Sequence, residues 1–462
     1  MNPRLLSYRT LVSWEGFSPE RRPSLASLAD EMLSRHGNIS GPDKALFTEL
    51  VFGVTRWRML LDFHIKRRLK SKKSLPMEVM THLRIGTYQL LFLERIPPSA
   101  SVDEAVKGIK KGRHSWAAGL VNAVLRKISE KREKSGLLKA RSEGLEELNR
   151  EERLCIETSH PGWMTKRWIK RFGWKKAFEI CRSNNIRAPL SLRANTLKTS
   201  RNGLLKGFRE KGIEAVPEKY SRDAVMIKGW KGSPAHLPFF EEGLFQVQDE
   251  ASQLASIILA PGPGERILDA CAGLGGKATH LAQIMKDKGR VDAWDINPKR
   301  LDLLRENANR LGISSIRILE EEEFRKIREN RLPIYDRIIL DAPCSGLGVI
   351  RRHPDIKWNR NRASIKRLAT TQMELLSMTA PPLKPGGMFL YSTCSFEEEE
   401  TDFLADGFIA DHPDLQIFSI GKRLGKEGKS FLDERGLMRI FPEKEGPDGF
   451  FAALLQKKIM TA

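Results

Sequence analysis

A chain of 462 residues is long enough for two or three domains, each burying its own core. Its 40% hydrophobic and 30% charged residues are those of globular material, and no apolar run approaches the roughly 18 residues of a membrane span. The formal net charge of +21 favours a polyanionic partner such as RNA but names no reaction.

The opening MNPRLLSYRTLVSWEGF has no unbroken apolar stretch before a small-residue cleavage site, so no secretory signal is read. Residues 1–150 read as an all-helical domain that ends in a charged linker. LASLADEMLSRHG puts Leu25, Leu28 and Met32 on one face and closes at Gly37. Asp43 is expected to cap the next helix. MEVMTHLRIGTYQLLFLERI follows Pro76 and stops at Pro97 and Pro98. Ser101 with Glu104 spells a capping box for the helix after that. Val121, Val124, Leu125 and Ile128 then form a core-facing stripe. The domain carries 28 Lys and Arg against 16 Asp and Glu, a net of +12. Its densest patch, KRRLKSKK from Lys66 to Lys73, is expected to touch RNA. Residues 129–152 are charged and weakly periodic, as in a linker or an exposed helix.

Residues 151–240 mix a helical run, WMTKRWIKRFG, with strand-like PLSLRANTL and AVMIKGW, which predicts a small α+β module. From 241 to 460, RILDACAG, VDAWDI, IRILE, YDRIILDAP and MFLYSTC alternate with helical segments. In one of these, Pro298 opens the helix, Leu301, Leu304, Ala308 and Leu311 face the core, and Gly312 ends it. Such alternation predicts a doubly wound, Rossmann-like α/β domain whose ligands bind at the carboxyl ends of the strands.

Asp269-Ala-Cys-Ala-Gly-Leu-Gly-Gly-Lys277 follows one such strand and opens a helix, and Asp295 ends the next strand. Glycines allow close backbone approach, and an acidic side chain at that offset suits the hydroxyls of an adenosine ribose. The spacing fits neither the dinucleotide nor the P-loop phosphate motif.

Only five cysteines occur: Cys155, Cys181, Cys271, Cys344 and Cys394. They make neither a disulfide framework nor a CxxC zinc pair, so no metal is expected, and free thiols imply a reducing, cytoplasmic setting. Asp341-Ala-Pro-Cys344 and Thr393-Cys394 each end a strand, and in one sheet the two thiols would converge. A thiolate adding to carbon 6 of a pyrimidine turns carbon 5 into a nucleophile able to accept a methyl group, and an electropositive, partly exposed setting would favour that thiolate. Asp341 is placed to hold the exocyclic amine and share a proton with the ring. The base must leave its stack first. Cys155, Cys181 and Cys271 are read as buried, unreactive residues, with Cys271 lining the cofactor pocket through its backbone.

These motifs carry a resemblance. DAPCSGLGVIRRHPDIKW, YSTCSFEEEE, SHPGWMTKRW, LRANT, FQVQDEASQLA and DGFFAALL resemble the bacterial small-subunit ribosomal RNA cytosine-5 methyltransferases of the RsmB (Sun/Fmu) type, within the NOL1/NOP2/Sun family. VFGVTRWRMLLDFHI, LRIGTYQLLFLERIPPSASVDEAV and GLVNAVLRKI resemble the NusB-like domain that precedes their catalytic part. The resemblance implies S-adenosylmethionine as methyl donor, held by Cys271, Ala272, Gly273, Leu274, Gly275, Gly276, Lys277, Asp295 and Asp341. It makes Cys394 the nucleophile, gives Cys344 a part in releasing the methylated RNA, and makes the 151–240 module an RNA-binding subdomain. A monomer acting on ribosomal RNA, with no membrane partner, is expected. The sequence departs from the family loop where Gly273-Leu274 replaces Ala-Pro, and where Glu320, with Glu321 as the alternative, stands for an aspartate that contacts the adenine. Transfer RNA as substrate, or a non-catalytic RNA-binding assembly or antitermination factor, are the other readings.

Overall fold

The helix Met77–Phe92 has no polar face: twelve of its residues between Val79 and Leu91 are buried, as befits a helix at the centre of a bundle. In the computed structural model, which describes residues 2–459 apart from Asn38, Lys72, Arg331, Pro333 and Glu445, it packs among Pro3–Gly16, Gly41–Arg56, Arg58–Lys66, Pro98–Lys110 and Ala118–Ser135. Its buried Arg84 is matched by Asp62, at 2.7 and 2.9 Å, and by Glu15 at 2.8 Å. These helices belong to the first of two compact units, Met1–Arg187 together with Ile350–Arg360.

Two predicted caps are corrected here. Ser40, not Asp43, caps Gly41–Arg56, its Oγ accepting from the Asp43 amide at 3.3 Å. Ser101 lies buried inside Pro98–Lys110 and Glu104 accepts from Asn2, because Pro98 at the first turn has already started that helix. The stripe Val121, Val124, Leu125 and Ile128 is buried as read.

The 66–73 patch is also partly structural. Arg67 grips both oxygens of Glu147 at 2.7 and 2.8 Å, and Arg68 binds Glu143 at 2.5 Å. These bonds fasten the stretch read as a linker, which holds the helices Leu137–Ser142 and Arg150–Glu157, the latter with a capping box on Asn149. Lys66, Lys70 and Lys73 remain exposed; Lys72 lies outside the described residues.

Residues 350–360, the second half of the DAPC stretch, are built into this helical unit. The buried Lys357 ammonium donates to the carbonyls of Arg56 (2.9 Å) and Ser159 (3.0 Å) and to Asn185 Oδ1 (3.0 Å). Burial drives its pKa well below the ordinary lysine value. Trp358 donates to the Thr55 carbonyl at 2.8 Å.

The second unit is Ala188–Val349 with Asn361–Ala462. It opens with an antiparallel sheet, order β2-β3-β1-β4, of β1 (Leu190–Ala194), β2 (Ala215–Pro217), β3 (Ala224–Ile227) and β4 (Phe245–Val247), packed on the helix Arg201–Glu210. A larger mixed sheet follows. It contains β5 (Arg266–Asp269), β6 (Arg290–Ala293), β7 (Ile316–Ile318), β8 (Tyr335–Asp341), β9 (Leu383–Thr393), β10 (Leu415–Ile417), β11 (Met438–Ile440) and β12 (Phe450–Lys457). The order is β10-β12-β9-β8-β5-β6-β7, with β11 paired to β12. Strands β5 to β9 run parallel, and β12 lies antiparallel to β9. On β8, Ile339 enters one core cluster while Ile338 and Leu340 enter the other, the period of two that a sheet with both faces covered imposes. The fold is therefore the helical, α+β and Rossmann-like arrangement read from the chain. No strand was predicted for β10 to β12. β12 reads FFAALLQK, an apolar run whose length and composition do not separate strand from buried helix.

Candidate functional site

Between β5 and the helix Gly276–Ile284 the chain turns over Ala270 to Gly275. Gly275 has φ +83°, and a Cβ there would stand 2.7 Å from Leu304 Cγ, so conformation and space both demand glycine. Gly273 also has positive φ, +55°, but faces open space. The Asp295 carboxylate closes the turn, accepting from the Gly273 amide at 3.0 Å and the Asn297 amide at 2.9 Å. Beneath it, Arg193 of β1 is fully buried and donates to the Gly276 carbonyl (2.6 Å), Thr279 Oγ1 (2.9 Å) and Gln283 Oε1 (3.0 Å), and to Gln248 Oε1. Burial brings its pKa down to about 9. The LRANT segment was noticed in the sequence, but its arginine was not assigned this task; nothing local reveals a partner some 80 positions away.

The turn is rich in carboxylates. Asp269 is buried, and neither oxygen has a hydrogen bond of good geometry. Burial raises its pKa to about 7 against the pull of Lys277, with Asp341 and Asp295 raising it further. The Cys271 thiol is pushed far up by burial and by the same three acids, which fits its reading as unreactive. Cys181 is raised to about 12 by burial, and Cys155 is raised too. Buried oxygens without partners, with no basic cluster among them, suit a cationic ligand carrying hydroxyls better than a phosphate.

The reacting side chains come from β8 and β9, paired in parallel with Asp341 opposite Ser392. Asp341 Oδ2 receives Lys277 Nζ at 2.5 Å and Oδ1 receives Ser392 Oγ at 2.9 Å, which ties the glycine turn to the β8 end. Beyond the two strand ends, Cys344 Sγ and Cys394 Sγ lie 3.0 Å apart. One expectation is corrected: the surroundings of Cys394 are acidic. Its pKa is raised well above the usual thiol value, first by the hydrogen bond with Cys344, then by burial and by the charges of Asp341 and Glu400. Lys277 is engaged by Asp341, and Arg300 lies 3.8 Å from Asp295.

Glu320 is exposed at the end of β7, while Glu321 accepts from the Trp294 indole at 3.1 Å, beside Asp295. Leu274 is half exposed at the tip of the turn. Residues the sequence did not single out surround the cysteines: Ser345, Gln372, Tyr391, Ser395 and Glu400, all buried. YSTCSFEEEE contains three of them, but four consecutive glutamates give no sign that Glu400, rather than its neighbours, meets Ser345. No helix among the described residues is long and apolar enough to cross a membrane.

Comparison with known proteins agrees with this layout. Residues 256–456 match the 16S rRNA methyltransferase RsmB/F family, residues 1–130 the NusB family, and residues 160–230 the ferredoxin-like domain of RsmF/B-like methyltransferases. The ribosomal RNA small subunit methyltransferase B of Pseudomonas putida is 37% identical over 463 residues, covering 99% of both chains. The probable ribosomal RNA small subunit methyltransferase B of Bacillus subtilis is 36% identical over 441 residues, 95% of this chain and 96% of that one. Among solved structures, PH0851 superposes with a TM-score of 0.78 at 27% identity over 99% of both chains. A methyltransferase homolog from Pyrococcus horikoshii gives a TM-score of 0.57 at 28% identity, over 67% of this chain and 99% of that one.

Proposed function

The chain belongs to the ribosomal RNA small subunit methyltransferase B family, and we propose that it methylates carbon 5 of a cytosine in small-subunit ribosomal RNA through a covalent cysteine–RNA adduct, with S-adenosylmethionine as donor. The observation that carries the reading is the 3.0 Å pairing of Cys344 and Cys394 beside an Asp341 that is itself bonded to the glycine turn.

S-adenosylmethionine supplies an electrophilic methyl group on a sulfonium. The residues that would hold it are the 271–277 turn through its backbone, Asp295 for the ribose hydroxyls, the orphaned Asp269 for a cationic group, and Glu321 or Glu320 towards the adenine. The Cys394 thiol gives its proton to the Asp341 carboxylate as its sulfur bonds to carbon 6 of the flipped-out cytosine, and the ring's double-bond electrons make carbon 5 the nucleophile. Asp341 holds the exocyclic amine and shares a proton with the ring nitrogen, so that the ring accepts those electrons. Once carbon 5 carries its methyl group, its proton passes to water, the freed pair restores the ring double bond and expels the Cys394 sulfur, and that sulfur recovers its proton from the ring nitrogen through Asp341. Cys344 takes part in that release, being the thiol in contact with the leaving sulfur. The hydrogen bond with Cys344, then burial and the charges of Asp341 and Glu400, favour the protonated form of the resting Cys394.

The test uses two variants and RNA from cells lacking the protein. Cys394→Ala should abolish bisulfite-resistant cytosine in small-subunit ribosomal RNA, and Cys344→Ala should accumulate a protein–RNA adduct stable to denaturing electrophoresis. Normal methylation by Cys394→Ala would overturn the reading.

A further inference from the structure

Cys344 is fastened on both sides by side chains from outside the glycine turn. On one side the Pro343 carbonyl accepts from Gln372 Nε2 at 2.8 Å. On the other, the Ser345 amide donates to Glu400 Oε1 at 2.7 Å and the Ser345 hydroxyl to Glu400 Oε2 at 2.5 Å. Gln372 Nε2 also reaches Glu400 Oε1 at 3.1 Å, so both holds meet in one carboxylate. The brace extends to the second cysteine. The hydroxyls of Ser345 and Ser395 are 3.1 Å apart, and the Cys394 carbonyl accepts from the Gly348 amide at 2.9 Å. Tyr391 of β9 puts its hydroxyl 2.8 Å from the Glu400 carbonyl and 3.1 Å from Gln372 Oε1.

A fully buried carboxylate is costly unless it is hydrogen-bonded, and this one accepts from the Ser345 amide, the Ser345 hydroxyl and Gln372 Nε2. The same stability would come more simply from apolar packing, so what the carboxylate adds is a fixed geometry. We propose that Glu400 is a positioning residue: by clamping Ser345 it sets the Cys344 thiol against Cys394 for the release of the methylated base. The role in release rests on the covalent reading above; the brace itself does not.

Its test needs no RNA. Diamide takes up two thiol hydrogens and their electrons as a sulfur–sulfur bond forms, so the rate of Cys344–Cys394 closure, followed by peptide mapping and divided by each variant's rate of Cys394 alkylation at the same pH, reports how well the two sulfurs are held together. Wild-type protein should close readily. Glu400→Ala should close roughly ten- to a hundredfold more slowly, while Glu400→Gln, able to accept the amide and meet the hydroxyl as donor, should stay within about threefold of wild type. Rescue by the glutamine is what a merely space-filling role would not give. Closure of Glu400→Ala at the wild-type rate, or of Glu400→Gln as slowly as the alanine variant, would overturn the clamp. If Glu400→Ala no longer gives a cooperative urea transition for the unit Ala188–Val349 with Asn361–Ala462, it has lost its fold, and Ser345→Ala takes its place. That variant should be intermediate, and a wild-type rate in it would overturn the proposal equally. Failure of Cys344→Ala to accumulate an adduct would count against the reaction instead, leaving the brace to be judged by these rates.

Discussion

The turn after β5 and the turns after β8 and β9 leave the same sheet edge yet are held by different means. The first is shaped by its own backbone: Gly275 at positive φ, the Gly273 amide on Asp295, and an arginine beneath donating to the Gly276 carbonyl. The second is shaped by side chains, with Glu400, Gln372 and Ser345 bonded to one another and to the chain on either side of Cys344. A ligand that must be enclosed by amides is served by the first kind of turn. Two sulfurs that must keep a separation are served by the second. Asp341 is where the two meet, since it binds Lys277 from one turn and Ser392 from the strand that leads to the other.

Breaking that junction should have the largest effect. Asp341→Asn removes the ion pair with Lys277 and the acceptor proposed to share a proton with the base, and single-turnover methyl transfer should fall by roughly 10²- to 10⁴-fold. A loss below about threefold would show that the turns act independently and that Asp341 has no part in proton sharing. Next comes Asp269, beneath the glycine turn. Its folded pKa of about 7 exceeds the usual 3.8, so the folded state binds a proton more tightly than the unfolded chain. The contribution of Asp269 to folding stability therefore declines as pH rises from about 4 to about 7 and is level above that. Asp269→Asn has no such proton. Its stability relative to wild type should climb across that window, by up to about 4 kcal/mol in paired thermal melts. The same variant should bind S-adenosylmethionine about tenfold more weakly by calorimetry, if the orphaned oxygens serve a cationic ligand. A pH-independent difference would show that Asp269 is ionised throughout.

The same contrast explains what could be read from the chain. Strands β5, β6, β8 and β9 were legible because each is an apolar run that ends at or just before a residue with chemical meaning: Asp269, Asp295, Asp341 and Cys394. The helix Pro298–Leu311 was legible from its proline, its stripe and its final Gly312. The glycine turn was visible because its determinants are contiguous. The supports were not, because they act over long separations: Arg193 reaches Gly276, Glu400 reaches Ser345, and Lys357 reaches Arg56. The acidic character around Cys394 was missed for the same reason. The positive net charge of the whole chain says nothing of a site where Asp341 and Glu400 face one thiol. The Ser101 box failed because Pro98, three positions earlier, is the stronger helix start.

Two alanines in the glycine turn sharpen the comparison on its backbone side. Gly275→Ala meets both obstacles, a left-handed backbone and the Leu304 side chain, and should cost about 2–3 kcal/mol in stability. Gly273→Ala meets only the first. Its φ of +55° is unfavourable for alanine, but nothing stands within 4 Å of the added carbon, so the cost should be about 1 kcal/mol. Related loops carry alanine at this point, followed by proline where this chain has the half-exposed Leu274. The double variant Gly273→Ala with Leu274→Pro should therefore recover part of that loss if proline stiffens the unfolded turn more than it strains the folded one. Both differences are measurable as shifts in the urea midpoint at constant slope. Equal losses for Gly273→Ala and Gly275→Ala would mean that Leu304 moves aside without cost and that backbone conformation alone sets the turn.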